Sequence, residues 1–324
     1  MVLTIDPARR LAQSMGLSEL DNTPREVADT DGRLFAMMLD MKRTFDEVVA
    51  AHSTPDRAEQ IFANPFYQAL SSSFAGTQEY MAMEKLSQLA EADEWDLIVV
   101  DTPPSRSALD FLDAPQRLGR FLDGRMIRLF TMPARTGGKA YLKVITASFS
   151  MFTRVMAKIL GGELINDVAA FVSSLEAMFG GFRQRAEHTY KLLKAPGTAF
   201  VVVAIPEPDA LREASYFVER LSDEQMPLAG VIVNRVHAAV EGLTAGRAEA
   251  AADQLVGNTV AVKLARAALR VQVETAVVAD QDARMTRRFG AAHPDIPLAR
   301  VAALPTDVHD LAGLREVGQK LAGQ

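Results

Sequence analysis

The stretch Leu97-Ile98-Val99-Val100-Asp101-Thr102-Pro103-Pro104 says more about this chain's architecture than any other. Four apolar residues bounded by polar ones read as a short strand buried on both faces, the pattern of a parallel sheet. Asp101 then falls at the carboxyl edge of that sheet. A carboxylate there can hold Mg²⁺, directly or through water, beside the phosphates of a nucleotide. The two prolines turn the chain off the sheet edge into a stiff loop. The plainer reading is a strand that ends in a turn-forming Asp.

Val2-Leu3-Thr4-Ile5 repeats the arrangement, followed at once by Asp6-Pro7-Ala8-Arg9-Arg10. An ionised carboxylate beside a terminal phosphate can orient and polarise an attacking water. Asp6 with Pro7 at the first helical position also suits a helix start. The two readings are compatible, because a helix N-terminus at a sheet edge is itself an anion site.

Working outward, further apolar runs occupy 34–39, 200–205, 231–233 and 301–304, with helical periodicity at 77–92 and 209–221. Strands alternating with helices imply an α/β fold with a doubly wound, mostly parallel sheet. Two stretches break the alternation. One, about 118–190, is helical and rich in Met, Phe, Leu and Ile; the other, about 246–290, is Ala-rich and charged. Both read as helical insertions on a single domain spanning 1–324. The Ala/Gly-rich stretch 241–252 reads as a mobile loop, and Trp95 is expected to pack on a neighbouring helix.

Composition narrows the function classes. The 324 residues carry 35 basic and 41 acidic side chains, net −6, so there is no basic footprint for nucleic acid. With no cysteine, disulfides, Cys-ligated zinc, iron–sulfur clusters and thiol nucleophiles are excluded together. No apolar run reaches the ~20 residues of a membrane-spanning helix, and the N-terminus lacks a signal-peptide layout. The chain reads as cytoplasmic. His52, His188, His237, His293 and His309 are scattered without metal-ligand spacing and read as solvated or capping residues.

Several of these motifs together carry a family resemblance. The run from Val2 to Ala12 resembles the first switch of the ArsA-type ATPases, a family that includes arsenite-pump subunits and the targeting factor for tail-anchored membrane proteins. Trp95 to Pro104, with Leu109-Asp110-Phe111-Leu112 and Pro115, resembles its second switch. Gly76-Thr77-Gln78-Glu79 resembles a short signature ahead of the intervening helix. The runs 200–205 with Pro206-Glu207, and Val231-Ile232-Val233-Asn234-Arg235, resemble its two later strands. Leu304-Pro305 resembles the loop that closes the adenine pocket. The ordered set covers nearly the whole chain.

The resemblance implies an ATP hydrolase of the P-loop NTPase type that uses ATP and Mg²⁺. Asp6 would orient the hydrolytic water and Asp101 would stabilise Mg²⁺, while Asn234 and Pro305 would hold adenine. Hydrolysis would open and close a dimer, either a homodimer or a heterodimer with a paralogous ATPase. Three departures qualify this. The family's phosphate-binding loop, a Lys-Gly-Gly-Val-Gly-Lys-Thr-like stretch, is absent from these 324 residues. A βαβ unit of ~30 residues or more would place it, with the first strand, roughly 35–45 residues before Asp6. The family's zinc-binding and arsenite-binding cysteines are absent too, which argues against metalloid transport. Ser105-Arg106-Ser107 stands where the family often has Thr-Gly-His.

In the targeting relatives the Met/Phe-rich region forms a groove for a client's transmembrane helix, which points here to Phe149, Phe152 and Met156 as a client surface. Met suits a surface that accepts varied apolar partners. The competing readings are a self-buried helical core and peripheral contact with an acidic membrane through the interleaved Arg and Lys. Two other functional classes remain beside the ATPase: a nucleotide-independent client-binding subunit working with a paralogous ATPase, and a ParA/MinD-type positioning ATPase. Because the main phosphate cradle is missing from these residues, isothermal titration of the 324-residue chain with Mg·ATP is expected to show no binding at micromolar nucleotide.

Overall fold

Val2, Leu3 and Thr4 form strand β1, which lies between two parallel neighbours. The computed structural model describes residues 1–5, 10–65, 67–68, 71, 77–102, 184–185 and 187–323. Asp6, Phe149, Phe152 and Met156 lie outside the described residues, as does nearly all of the insertion at 118–190. The chain divides into two units, one of residues 1–12 and 18–192 and the other of 13–17 and 193–324. A short helix α1 (Arg10–Ser14) follows β1.

In the first unit the strand order is β2-β3-β1-β4, with β2 at Arg25–Glu26, β3 at Phe35–Met38 and β4 at Val99–Asp101. β1 pairs in parallel with both neighbours, Val2 opposite Ala36 and Val99, and Thr4 opposite Met38 and Asp101. β2 runs antiparallel to β3. Leu3, Ile5, Ala36 and Met37 are buried, as strands inside a parallel sheet require. The turn from β3 into helix α2 (Met41–His52) is fixed by polar groups. Asp40 caps the helix by accepting from the Arg43 backbone N–H at 2.9 Å. Buried Asn22 accepts from the Thr44 hydroxyl at 3.1 Å and from the Asp40 N–H at 3.2 Å, while its amide donates to Glu47. Thr44, Phe45, Val48 and Val49 form the buried stripe of α2 at helical spacing. Helix α3 (Pro55–Ala63) starts on its proline, and helix α4 (Thr77–Glu91) buries Met81, Met83, Leu86 and Leu89. Buried Glu84 of α4 is paired with the Arg185 guanidinium at 2.9 Å.

The second unit holds β5 (Phe200–Ala204), β6 (Leu228–Val236) and β7 (Leu298–Ala302), all parallel, in the order β5-β6-β7. Helix α5 (Pro208–Asp223) returns the chain from β5 to β6 and buries Leu211, Ala214, Val218 and Leu221. Helices α6 (Ala245–Gln254) and α7 (Val260–Ala292) connect β6 to β7, and α8 (Leu311–Ala322) ends the unit. No helix among the described residues is long and apolar enough to cross a membrane.

The parallel α/β architecture expected from the sequence is present in both units. Three local expectations are corrected. Residues 97–100 are not a strand buried on both faces: Leu97 is 68% exposed and Val99 46%. The reason is that β4 pairs only with β1 among the described residues. β5 behaves alike, pairing only with β6 and leaving Val201 and Val203 exposed. Much of 241–252 is helix α6 instead of a loop, because Thr244 caps a run of strong helix formers. Trp95 has a strand partner as well: its ring lies edge-on to Phe35 of β3 at 5.1 Å.

β6 approaches the start of β7 closely at Gly230. A Cβ added there would lie 2.8 Å from the Pro297 carbonyl oxygen, which accepts from the Val231 N–H at 2.9 Å. Gly230→Ala is therefore expected to cost about 1–3 kcal/mol, measured by denaturant unfolding with the change in midpoint.

Candidate functional site

Parallel pairing puts the carboxyl ends of neighbouring strands at one edge, and in each unit that edge carries the candidate chemistry. In the first unit Asp101 ends β4 with its carboxylate exposed. The buried Thr4 hydroxyl of β1 donates to Asp101 Oδ2 at 3.0 Å, and the Ile5 N–H donates to the Asp101 carbonyl at 2.9 Å. These two bonds tie the end of β1, one residue short of Asp6, to the end of β4. The Leu39 N–H donates to the Thr4 carbonyl at 2.9 Å, which brings the end of β3 to the same edge. Asp101 fits a magnesium ion by donor chemistry: a carboxylate is a hard oxygen ligand, and Mg²⁺ is commonly held by one or two of these plus phosphate and water. Among the described residues no cluster of three or more acidic, His or Cys side chains forms a self-contained metal cage.

In the second unit a cavity of about 530 Å³ lies at the carboxyl ends of β5, β6 and β7. That volume is within the usual range for a small-molecule site. Pro206 and Glu207, which follow β5, form one wall, and Asn234 and Arg235 of β6 form the next. Leu304, Thr306 and Asp307 of the loop after β7 contribute a third. Pro305 is exposed in that loop, and the wall itself is made by its neighbours Leu304 and Thr306. The Asn234 side-chain oxygen accepts from the Arg235 N–H at 2.9 Å. Arg235 adopts a left-handed backbone, φ +57°, which is uncommon outside glycine. Its guanidinium reaches Asp307 at 3.1 Å and so links β6 to the loop after β7.

The fourth wall comes from α7 through Gln281, Asp282 and Met285. Asp282 is nearly fully buried, and its Oδ2 accepts from both the His237 backbone N–H and the ring Nδ1, each at 2.9 Å.

The model of the anion-transporting ATPase (ArsA) family matches residues 1–242. The chain belongs to that family. It is 26% identical over 255 residues to a protein named ATPase GET3C from Arabidopsis thaliana, covering 73% of this chain and 59% of that protein. It is 24% identical over 240 residues to ATPase get3 from Schizosaccharomyces pombe, covering 73% and 64%. ATPase ARSA2 from Chlamydomonas reinhardtii matches at 24% over 239 residues, covering 73% and 59%. The chain thus spans about three fifths of the length of these relatives. The family match agrees with the resemblance drawn from the switch-like motifs.

The structure brings Asn234 and the loop holding Pro305 to one cavity, and it places Asp101 beside the strand that leads to Asp6. Sequence reading missed Asp282 and treated His237 as an unremarkable surface residue. The available signal was positional. Asp282, Thr286 and Phe289 recur at helical spacing as the buried stripe of α7, so a carboxylate sits where an apolar side chain belongs.

Proposed function

We propose that the chain is the nucleotide-responsive part of an ArsA-type ATPase, in which ATP binding and hydrolysis switch a dimer and control a hydrophobic client surface. The observation that carries this reading is the cavity of the second unit, walled jointly by Asn234 and the loop around Pro305 at a sheet's carboxyl edge. That is where a parallel α/β protein places a nucleotide. Asn234 and the loop hold the adenine base. In the first unit Asp101 holds Mg²⁺, directly or through water, and the Thr4 hydroxyl fixes the orientation of its carboxylate. The ion supplies charge neutralisation at the phosphates when bound. Asp6 orients and polarises the attacking water.

Phe149, Phe152 and Met156 form the client surface, which takes an apolar helix along its length. Peripheral contact with a membrane surface is compatible with this role. Family membership supports the ATPase reading, and the strand-end placement of Asp101 supports the magnesium role.

Two experiments test this. With a phosphate-binding loop supplied ahead of Met1, the protein is expected to turn over ATP. Asp6→Asn should then lower turnover at least a hundredfold while leaving ATP affinity within about threefold, since general-base contributions run ~10²–10⁴. Unchanged turnover would reduce Asp6 to a helix cap. Separately, Phe152→Asp with Met156→Asp should abolish crosslinking to an apolar helical peptide while ATP turnover persists. If the double variant unfolds, those residues are core and the client surface lies elsewhere.

A further inference from the structure

The two oxygens of the buried Asp282 carboxylate are supplied unequally. A carboxylate this deeply buried is costly unless its oxygens are supplied with donors. Oδ2 receives two, both from His237. Oδ1 receives none from the described residues, and it belongs to a side chain that lines the cavity. Arg235, the arginine among the cavity's lining residues, is engaged by Asp307. The free oxygen is left for whatever fills the cavity.

Asn234 supplies the complementary group. Its side-chain oxygen is used by the Arg235 N–H, so its amide N–H₂ is the part offered to a ligand. Among the polar groups lining the cavity, which also include Glu207, Gln281 and Thr306, Asn234 offers a donor and Asp282 a carboxylate acceptor. One edge of adenine carries an acceptor, N7, beside an amine donor, N6. On the corresponding edge of guanine or hypoxanthine both groups accept, and the carbonyl at position 6 would face a carboxylate.

We propose that Asp282 is the base-specificity residue of this pocket: its free oxygen accepts the exocyclic amine of adenine while Asn234 donates to N7. His237 is a positioning residue that holds the carboxylate through its other oxygen. The inference rests on the reading of the cavity as an adenine site, and it adds which further residue, and which of its atoms, selects that base.

The test uses nucleosides, which need no phosphate cradle, titrated at millimolar concentration against the 324-residue chain by ligand-observed NMR. Adenosine, purine riboside (the same ring without the amine) and inosine (a carbonyl in its place) are compared. Adenosine is expected to bind about tenfold tighter than purine riboside, as a hydrogen bond to a charged group allows, and inosine weakest. In Asp282→Asn the adenosine preference should shrink to within about threefold. Asn234→Ala should weaken all three nucleosides by a similar factor, because all three carry N7. If none of the three binds, or if Asn234→Ala changes nothing, the nucleobase reading fails and the inference with it. If all three bind and weaken together in Asn234→Ala, yet adenosine and purine riboside bind the wild-type chain equally, the nucleobase reading stands and the role of Asp282 is overturned. That last comparison is made on the wild-type protein and does not depend on a variant folding.

Discussion

Parallel strand pairing is the constraint from which the candidate chemistry follows. Strands that run the same way must end at the same edge, so every residue just past a strand's last pair is delivered to one line. In the first unit the register of β1 against β4 sets Thr4 opposite Asp101 and leaves the next positions of β1 beside that carboxylate. A slip of one residue would exchange the faces taken by the buried Leu3 and Thr4 and carry the Thr4 hydroxyl away from Asp101. The hydrophobic pattern of a few residues therefore fixes the position of the Asp101 carboxylate relative to β1.

The same pairing explains where apolar residues fail to be buried. Val99 and Leu97 on one sheet, and Val201 and Val203 on the other, are as apolar as the residues of β1, yet solvent reaches them. What separates them is neighbour count. β1 has a strand on each side and loses all exposure at Leu3, whereas β4 and β5 each have a single partner among the described residues. Burial in a sheet is thus decided by topology, which a short apolar run does not encode.

That limit marks what the sequence could disclose. Local, periodic features were legible: the strand residues of β1 and β3, the Leu211–Ala214–Val218–Leu221 stripe of α5, and the Asn that follows the apolar centre of β6. Features made by contacts between distant segments were not. The strand partner of Trp95 is invisible locally, because Phe35 lies far earlier in the chain. The stretch 241–252 was read as a loop on its glycine and small residues, although a Thr cap and a run of alanines make a helix. Asp282 and His237 lie 45 residues apart, and only the packing of α7 over the end of β6 unites them. Asn234 could be found because the residue and its strand are contiguous; its companion in the pocket could not.

The two candidate sites differ in what a nucleotide would ask of them. A base pocket of the proposed kind would be largely self-sufficient, since Asn234 and Asp282 would offer a donor and an acceptor to a neutral ring. The edge bearing Asp101 is the opposite case. A carboxylate there repels a phosphate chain, and the repulsion grows as water is excluded, because Coulomb energies scale inversely with the local dielectric. The arrangement becomes attractive only when a divalent cation is shared between the carboxylate and the phosphates and when N–H groups or a lysine share the phosphate charge. In the proposed role Asp101 would therefore serve the metal–phosphate pair and not the nucleotide by itself. Base recognition and phosphate chemistry are thus separable by experiment in this chain: nucleosides report on the pocket alone, whereas binding at the Asp101 edge depends on cation and phosphate together.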